Sequence, residues 1–184
     1  MTGWTTEACD WYAEKYGDYA TNRLGIEALD LQADSNVVDI GPGTGEALRH
    51  ASVRVTSGAL VGVDPLPRML EIAKEWCAEH PARDRFDFRL GHAKALPVED
   101  DFADFVLAFD TFDHWTDHAA GMAEIRRVLR SGGTFAAIKD ASVPQHDGSV
   151  RAFRKACEAA GFVIDEERRV DDEVAFTFWR CHPG

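Results

Sequence analysis

The stretch that most constrains this chain is Val37-Val38-Asp39-Ile40-Gly41-Pro42-Gly43-Thr44-Gly45. A short apolar run ends in an acid and gives way to glycines at every second position. Such a segment reads as a buried strand that breaks into a tight loop, with a helix starting near Glu46. Glycine allows a positive φ and lets a ligand approach the backbone closely. A loop at the C-terminal end of a central strand is where α/β sheets bind nucleotide-like ligands. The segment therefore asks for an α/β chain with a ligand site at this strand end.

The rest of the pattern agrees. Residues 59–64 form a second apolar run ending in an acid, Asp64. Pro65 and Pro67 flank a turn into an amphipathic helix with Met69, Leu70, Ala73, Trp76 and Cys77 on one side. Residues 86–90 alternate as a third strand, and 104–109 form a fourth that enters a loop at Asp110. Residues 117–130 carry Ala120, Ala123, Ile125 and Leu129 at helical spacing, and Ser131-Gly132-Gly133 is expected to stop that helix. A fifth strand follows at 134–138, then a helix at 149–160 ended by Gly161. Residues 162–170 and 174–181 read as two strands around Asp171-Asp172.

Ahead of the sheet, apolar and aromatic residues at 8, 11/12, 16, 19, 24, 28 and 31 predict one or two helices. Trp4, Trp11, Tyr12, Tyr16 and Tyr19 are expected to pack there, with one tyrosine reaching the ligand. Strands alternating with helices imply parallel pairing and right-handed crossovers. The last two strands, joined by a few residues, must be antiparallel. The expectation is a single α/β domain over 1–184. It has a helical segment at 1–34, a ligand-binding core at 35–140, and a closing helix and two strands at 141–184.

Composition narrows the function classes. The net charge of -12 over 184 residues lacks the basic footprint that nucleic-acid binding needs. Arg126, Arg127 and Arg130 form a local basic cluster, read as a solvated helix face. Cys9, Cys77, Cys157 and Cys181 lie far apart. That suggests unpaired thiols in a reducing cytoplasm and no metal site. No apolar run approaches the ~18 residues of a membrane span, and the first residues show no secretory pattern.

Five segments carry a resemblance when taken together in order. They are residues 37–45, Val61-Gly62-Val63-Asp64, Gly91-His92-Ala93-Lys94-Ala95-Leu96-Pro97, His114-Trp115, and Val128-Leu129-Arg130-Ser131-Gly132-Gly133. The chain resembles the class I S-adenosylmethionine-dependent methyltransferases of the small methyltransferase 11/25 type, from about Val37 through Ile138. The resemblance implies a Rossmann-like, doubly wound, mostly parallel seven-stranded sheet with an antiparallel C-terminal hairpin and helices on both faces. It implies S-adenosyl-L-methionine as cofactor and S-adenosyl-L-homocysteine as product.

The resemblance also distributes roles. Asp39 falls where the family places an acid near the ligand's amino group. Gly41, Pro42 and Gly43 fall at its methionine and ribose portion. Asp64, 19 residues after Gly45, matches an acid that takes the ribose hydroxyls; its plainer reading is an acid before a helix start. Leu66 and Met69 would pack on the adenine. His92 departs from the family, which usually has an acid there; its imidazole or the Ala93 amide could serve adenine. Phe109 and Asp110 reach the edge where methyl meets acceptor, with Asp110, Asp113 and His114 as candidate bases. Asp110, Asp113 and Asp117 read as an ordinary acidic loop rather than a magnesium site. Trp115 reads as core or pocket wall.

Two rivals belong beside this reading. A dinucleotide-dependent oxidoreductase would carry G-x-G-x-x-G, but the glycines here fall at 41, 43 and 45. Glu46 holds the third fingerprint position and would repel a pyrophosphate. A protein that binds S-adenosylmethionine without transferring methyl is the second rival. For an enzyme, the expected acceptor is a small molecule methylated on oxygen, nitrogen or carbon. The Asn/Asp-Pro-Pro-Tyr signature is absent, since Asp110-Thr111-Phe112-Asp113 stands there. The pocket would be closed by the N-terminal helix and the loop at 110–118, or by a second copy in a homodimer.

Overall fold

The computed structural model describes residues 4–171 and 173–184. Two helices, α1 (Thr6–Tyr16) and α2 (Ala20–Glu27), precede the sheet. Then follow β1 (Val37–Ile40), α3 (Glu46–Ala51), β2 (Leu60–Asp64), α4 (Pro67–Cys77), β3 (Phe86–Leu90) and β4 (Ala103–Phe109). The chain continues through α5 (His118–Val128), β5 (Leu129–Asp140), α6 (His146–Ala159), β6 (Phe162–Asp171) and β7 (Ala175–Pro183). The seven strands form one sheet in the order β3-β2-β1-β4-β5-β7-β6. The first five pair parallel. β7 runs antiparallel between β5 and β6. The doubly wound sheet with a closing antiparallel hairpin is therefore the observed fold. The order reverses between β1 and β4, which puts the switch point beside the glycine loop.

Alternation along the strands sorts the core into two layers. Val38, Ile40, Val106 and Ala108 face Met122 and Ile125 of α5 and Phe153 of α6. Val37, Leu107, Phe109 and Ile138 face Ile26 of α2 and Leu48 of α3. A smaller cluster joins Cys9 and Ala13 of α1 to Met69 and Ile72 of α4. These contacts seat the N-terminal segment over the C-terminal ends of β1 and β2. Thr44 Oγ1 donates to the Gly17 carbonyl at 2.7 Å. The Tyr19 amide donates to Glu46 at 2.8 Å. Among the described residues no helix is long and apolar enough to cross a membrane.

Several boundaries differ from expectation. α5 ends at Val128, before the glycines, because Leu129 turns extended and pairs with Ala103. Residues 130–133 then form an irregularity inside β5, where Gly132 takes φ 78°. α6 starts at His146 rather than 149. Trp76, expected on the buried side of α4, is 40% exposed with the Arg49 guanidinium 5.6 Å from its ring. Trp11 is 56% exposed with the Lys15 ammonium 5.0 Å from its ring. Amphiphilic indole tolerates such positions when a cation covers its face. Asp172 of the expected turn lies outside the described residues.

Candidate functional site

Local geometry builds the loop first. Gly41, Gly43 and Gly45 have φ of 73°, 55° and 78°. All three therefore need the left-handed region that side chains resist, which explains their spacing. At Gly43 an added Cβ would meet only a Tyr12 ring carbon, at 3.7 Å. That space opens into a cavity. At Gly41 it would strike Thr111 instead.

Two cavities open at the switch point. The first, about 810 Å³ with its solvent-filled mouth, runs from His92 and Ala93 past Asp64, Leu66 and Met69 to Gly41, Gly43, Phe109 and Asp110. His114 and Trp115 line it from the loop after β4, and Trp4 and Tyr12 from the N-terminal segment. The second, about 760 Å³, lies beside it and carries Tyr16, Tyr19, Pro42, Lys139 and Asp140. Tyr12, Gly41, Gly43, Phe109 and Asp110 line both.

The candidates chosen from sequence thus converge, with one difference. Asp39 lines neither cavity. It sits on β1 at 2% exposure, beneath the loop. Its carboxyl is pushed up to about 7, by burial and by the Asp64 carboxylate. Asp64 is buried and is pushed up to about 6 by burial, although the Leu66 amide donates to its Oδ1 at 2.8 Å. That bond occupies one oxygen just before α4 and leaves the other for the cavity. His92 lines the cavity with an exposed side chain.

Asp110 is a strained residue with φ 54°. The Asp140 amide donates to its Oδ1 at 2.6 Å. Burial pushes Asp110 up to about 6, against that bond and the Lys139 charge. Lys139 Nζ is 4.0 Å from Asp110 and 2.9 Å from Asp113. Burial raises the Asp113 carboxyl, but Lys139 and the Ser149 hydroxyl hold it below the usual range. His114 stands edge-on to Trp4, ring centroids 5.8 Å apart. Burial and the Lys139 charge lower its pKa, against the Asp113 carboxylate. Asp117 spends its side chain capping α5 through the Ala120 amide. Among the described residues no group of three or more His, Cys, Asp or Glu is placed to hold a metal ion.

The arginine cluster is tied into the fold. Arg126 donates to the Gly161 and Gly184 carbonyls. Arg127 pairs with Glu124 and Asp100. Arg130, on the irregular start of β5 and not on a helix, pairs with Asp104. The sequence pointed to one N-terminal tyrosine at the ligand without saying which, and gave Lys139 and Asp140 no site role; Tyr12, Tyr16 and Tyr19 all line a cavity. The available signal was position, since Lys139-Asp140 directly follow the apolar run of the fifth strand.

A glycine loop and buried acids beside two cavities at the sheet's switch point define a doubly wound α/β protein with its candidate site at the C-terminal strand ends. The family described as a methyltransferase domain (Methyltransf_11) matches residues 38–137. The methyltransferase GfsG of Streptomyces halstedii is 33% identical over 120 residues, 65% of this chain and 42% of that protein. The ubiquinone/menaquinone biosynthesis C-methyltransferase UbiE of Geobacter sulfurreducens is 30% identical over 129 residues, 70% of this chain and 50% of that protein. The matches thus span half or less of these relatives' lengths. A methyltransferase of Aquifex aeolicus, solved as S-adenosylmethionine-dependent, has the same fold at TM-score 0.81 and 18% identity, covering 97% of this chain and 98% of that one. A geranyl diphosphate methyltransferase solved with geranyl diphosphate and sinefungin gives TM-score 0.73 at 15% identity, covering 88% and 76%. The chain belongs to the class I S-adenosylmethionine-dependent methyltransferases, in the Methyltransf_11-like family.

Proposed function

We propose that the first cavity binds S-adenosylmethionine and that the protein transfers its methyl group to a small-molecule acceptor. The observation that carries this reading is the line of the cavity, from Ala93 past Asp64 to Gly43. Adenine lies against Leu66 and Met69 near His92 and Ala93. The free Asp64 oxygen takes the ribose hydroxyls. The methionine end follows the open backbone at Gly41 and Gly43, above Asp39 and next to Pro42, Phe109 and Asp110. Asp39, Asp64 and Asp110 are all held above the ordinary carboxylate range by burial. A sulfonium and an ammonium relieve that cost, whereas a pyrophosphate adds to it. Glu46 at the start of α3 works in the same direction.

When bound, the cofactor supplies an electrophilic methyl carbon. The residues of this chain hold acceptor and methyl at near-attack distance, ~3–3.5 Å. The names of the UbiE and geranyl diphosphate relatives, which refer to small molecules, support a small acceptor. Calorimetric titration with S-adenosylhomocysteine and with NAD tests the cofactor reading. Binding of S-adenosylhomocysteine is expected, weakened ~10–100-fold by Asp64→Asn, the value of a charged hydrogen bond. Binding of NAD alone overturns it. Methyl turnover separates the enzyme from a protein that only binds the cofactor.

A further inference from the structure

We propose that the second, tyrosine-walled cavity is the acceptor site and that it takes a small amine on an aliphatic or aromatic body, with its nitrogen at Asp110. This rests on the cofactor placement above. Asp64 and His92 touch only the first cavity, while Tyr16, Tyr19, Lys139 and Asp140 touch only the second. With adenine and ribose at the far end of the first, the reactive end lies at the wall the two share. The next open volume beyond that wall is the second cavity.

Its chemistry selects the acceptor. The rings of Tyr12 and Tyr16 lie 5.3 Å apart, and those of Tyr16 and Tyr19 5.6 Å apart, so an aromatic wall meets the ligand's body. Three carboxylates, Glu46, Asp110 and Asp140, face the volume. Lys139 is the one cation among the described lining residues, and its ammonium is already 2.9 Å from Asp113. An anionic acceptor therefore meets acids with no free cation to receive it. Tyr19 spends its hydroxyl on Asp140 at 3.0 Å, and Asn22 spends its amide on Glu46 at 2.9 Å. Asp110 has Oδ1 engaged by the Asp140 amide, which leaves Oδ2 for a donor. A ligand that donates hydrogen bonds and carries positive charge answers both features, and tyrosine faces attract such a cation. Left-handed strain at Asp110 is the kind kept where a site needs a group aimed.

The step balances. The ammonium gives one proton to Asp110 Oδ2, which frees the nitrogen lone pair. That pair forms the N–C bond to the methyl carbon as the C–S bond breaks, and the bonding electrons stay on sulfur. The product leaves as the protonated N-methylamine, and Asp110 returns its proton to water.

The test starts with S-adenosylhomocysteine calorimetry on the whole protein, so that failure of the cofactor reading is seen separately. The loaded protein is then titrated with butyl, cyclohexylmethyl and phenylethyl compounds, each as amine, alcohol and carboxylate. The amine should bind at least tenfold tighter than its two counterparts on one or more bodies. Labelled methyl from S-adenosylmethionine should appear on nitrogen. Asp110→Asn, measured at saturating S-adenosylhomocysteine, should cost tenfold or more in amine affinity and erase the preference for the amine over the alcohol. Asparagine tolerates the same left-handed backbone, and the comparison on the unaltered protein stands whether or not the variant folds. No preference for the amine on any body, or label on oxygen or carbon, overturns the proposal.

Discussion

Asp39 lies under the glycine loop with its carboxyl pushed up to about 7, against an ordinary 3.8. Its ionised form is costly in the folded protein. A value raised by folding contributes stability that is complete below the unfolded value and is lost as pH rises through the folded one. From pH 5 to 7 the loss grows by ~1.36 kcal/mol per unit, or about 3 kcal/mol in all. Asn in place of Asp39 keeps the shape and removes the charge. The melting temperature of Asp39→Asn minus that of the wild type should therefore increase between pH 5 and 8. At roughly 2–4 °C per kcal/mol for a chain of this size, the increase is ~6–12 °C. Asp110 acts in the same sense in both proteins, while His114, with its pKa lowered, acts in the opposite one. Taking the difference between variants removes these two shared contributions, whereas the Asp64 charge, which helps raise Asp39, belongs to the quantity measured. Thermal melts followed by circular dichroism in matched buffers give the quantity directly. A difference that stays flat from pH 5 to 8, or falls, refutes the argument that burial under the loop sets this carboxyl. Saturating S-adenosylmethionine should also raise the wild-type melting temperature more at pH 8 than at pH 5, because a cation offsets the ionised acids.

Gly43→Ala and Gly132→Ala form a matched pair, since both positions have positive φ, 55° and 78°. Each should cost roughly 1–2 kcal/mol of stability. Only Gly43→Ala should also weaken S-adenosylhomocysteine binding, tenfold or more by calorimetry, because its new methyl enters the first cavity. Phe153, 2% exposed with its ring centroid 4.4 Å from that of Trp179, should cost ~3–5 kcal/mol in urea melts when changed to Ala. Asp117→Ala removes the α5 cap and should cost about 1 kcal/mol in the same melts.

Where the fold was legible, the cause was local. The apolar runs of β1, β2 and β4 are buried on both faces, so they read as continuous hydrophobic stretches. Boundaries were misread where pairing overrode propensity. The glycines after α5 suggested a helix stop, but Leu129 left the helix earlier to meet Ala103. Trp76 fitted an apolar stripe, yet a guanidinium from α3 lets it remain at the surface. The insertion of β7 between β5 and β6 has no local signature, because a hairpin can add to a sheet edge by either strand.

The site divides the same way. The glycine loop, the acid at the end of β2 and the loop after β4 are written in the chain itself. Positive φ and strand ends are properties of a few neighbouring residues. What surrounds them came from packing across the fold. It brought Tyr12, Tyr16 and Tyr19 over the ends of β4 and β5, beside Lys139 and Asp140. It also withdrew Asp39 from the cavity wall and raised three carboxyls by burial. Desolvation depends on every atom packed around a group, and a cavity on every element that stops short of filling it.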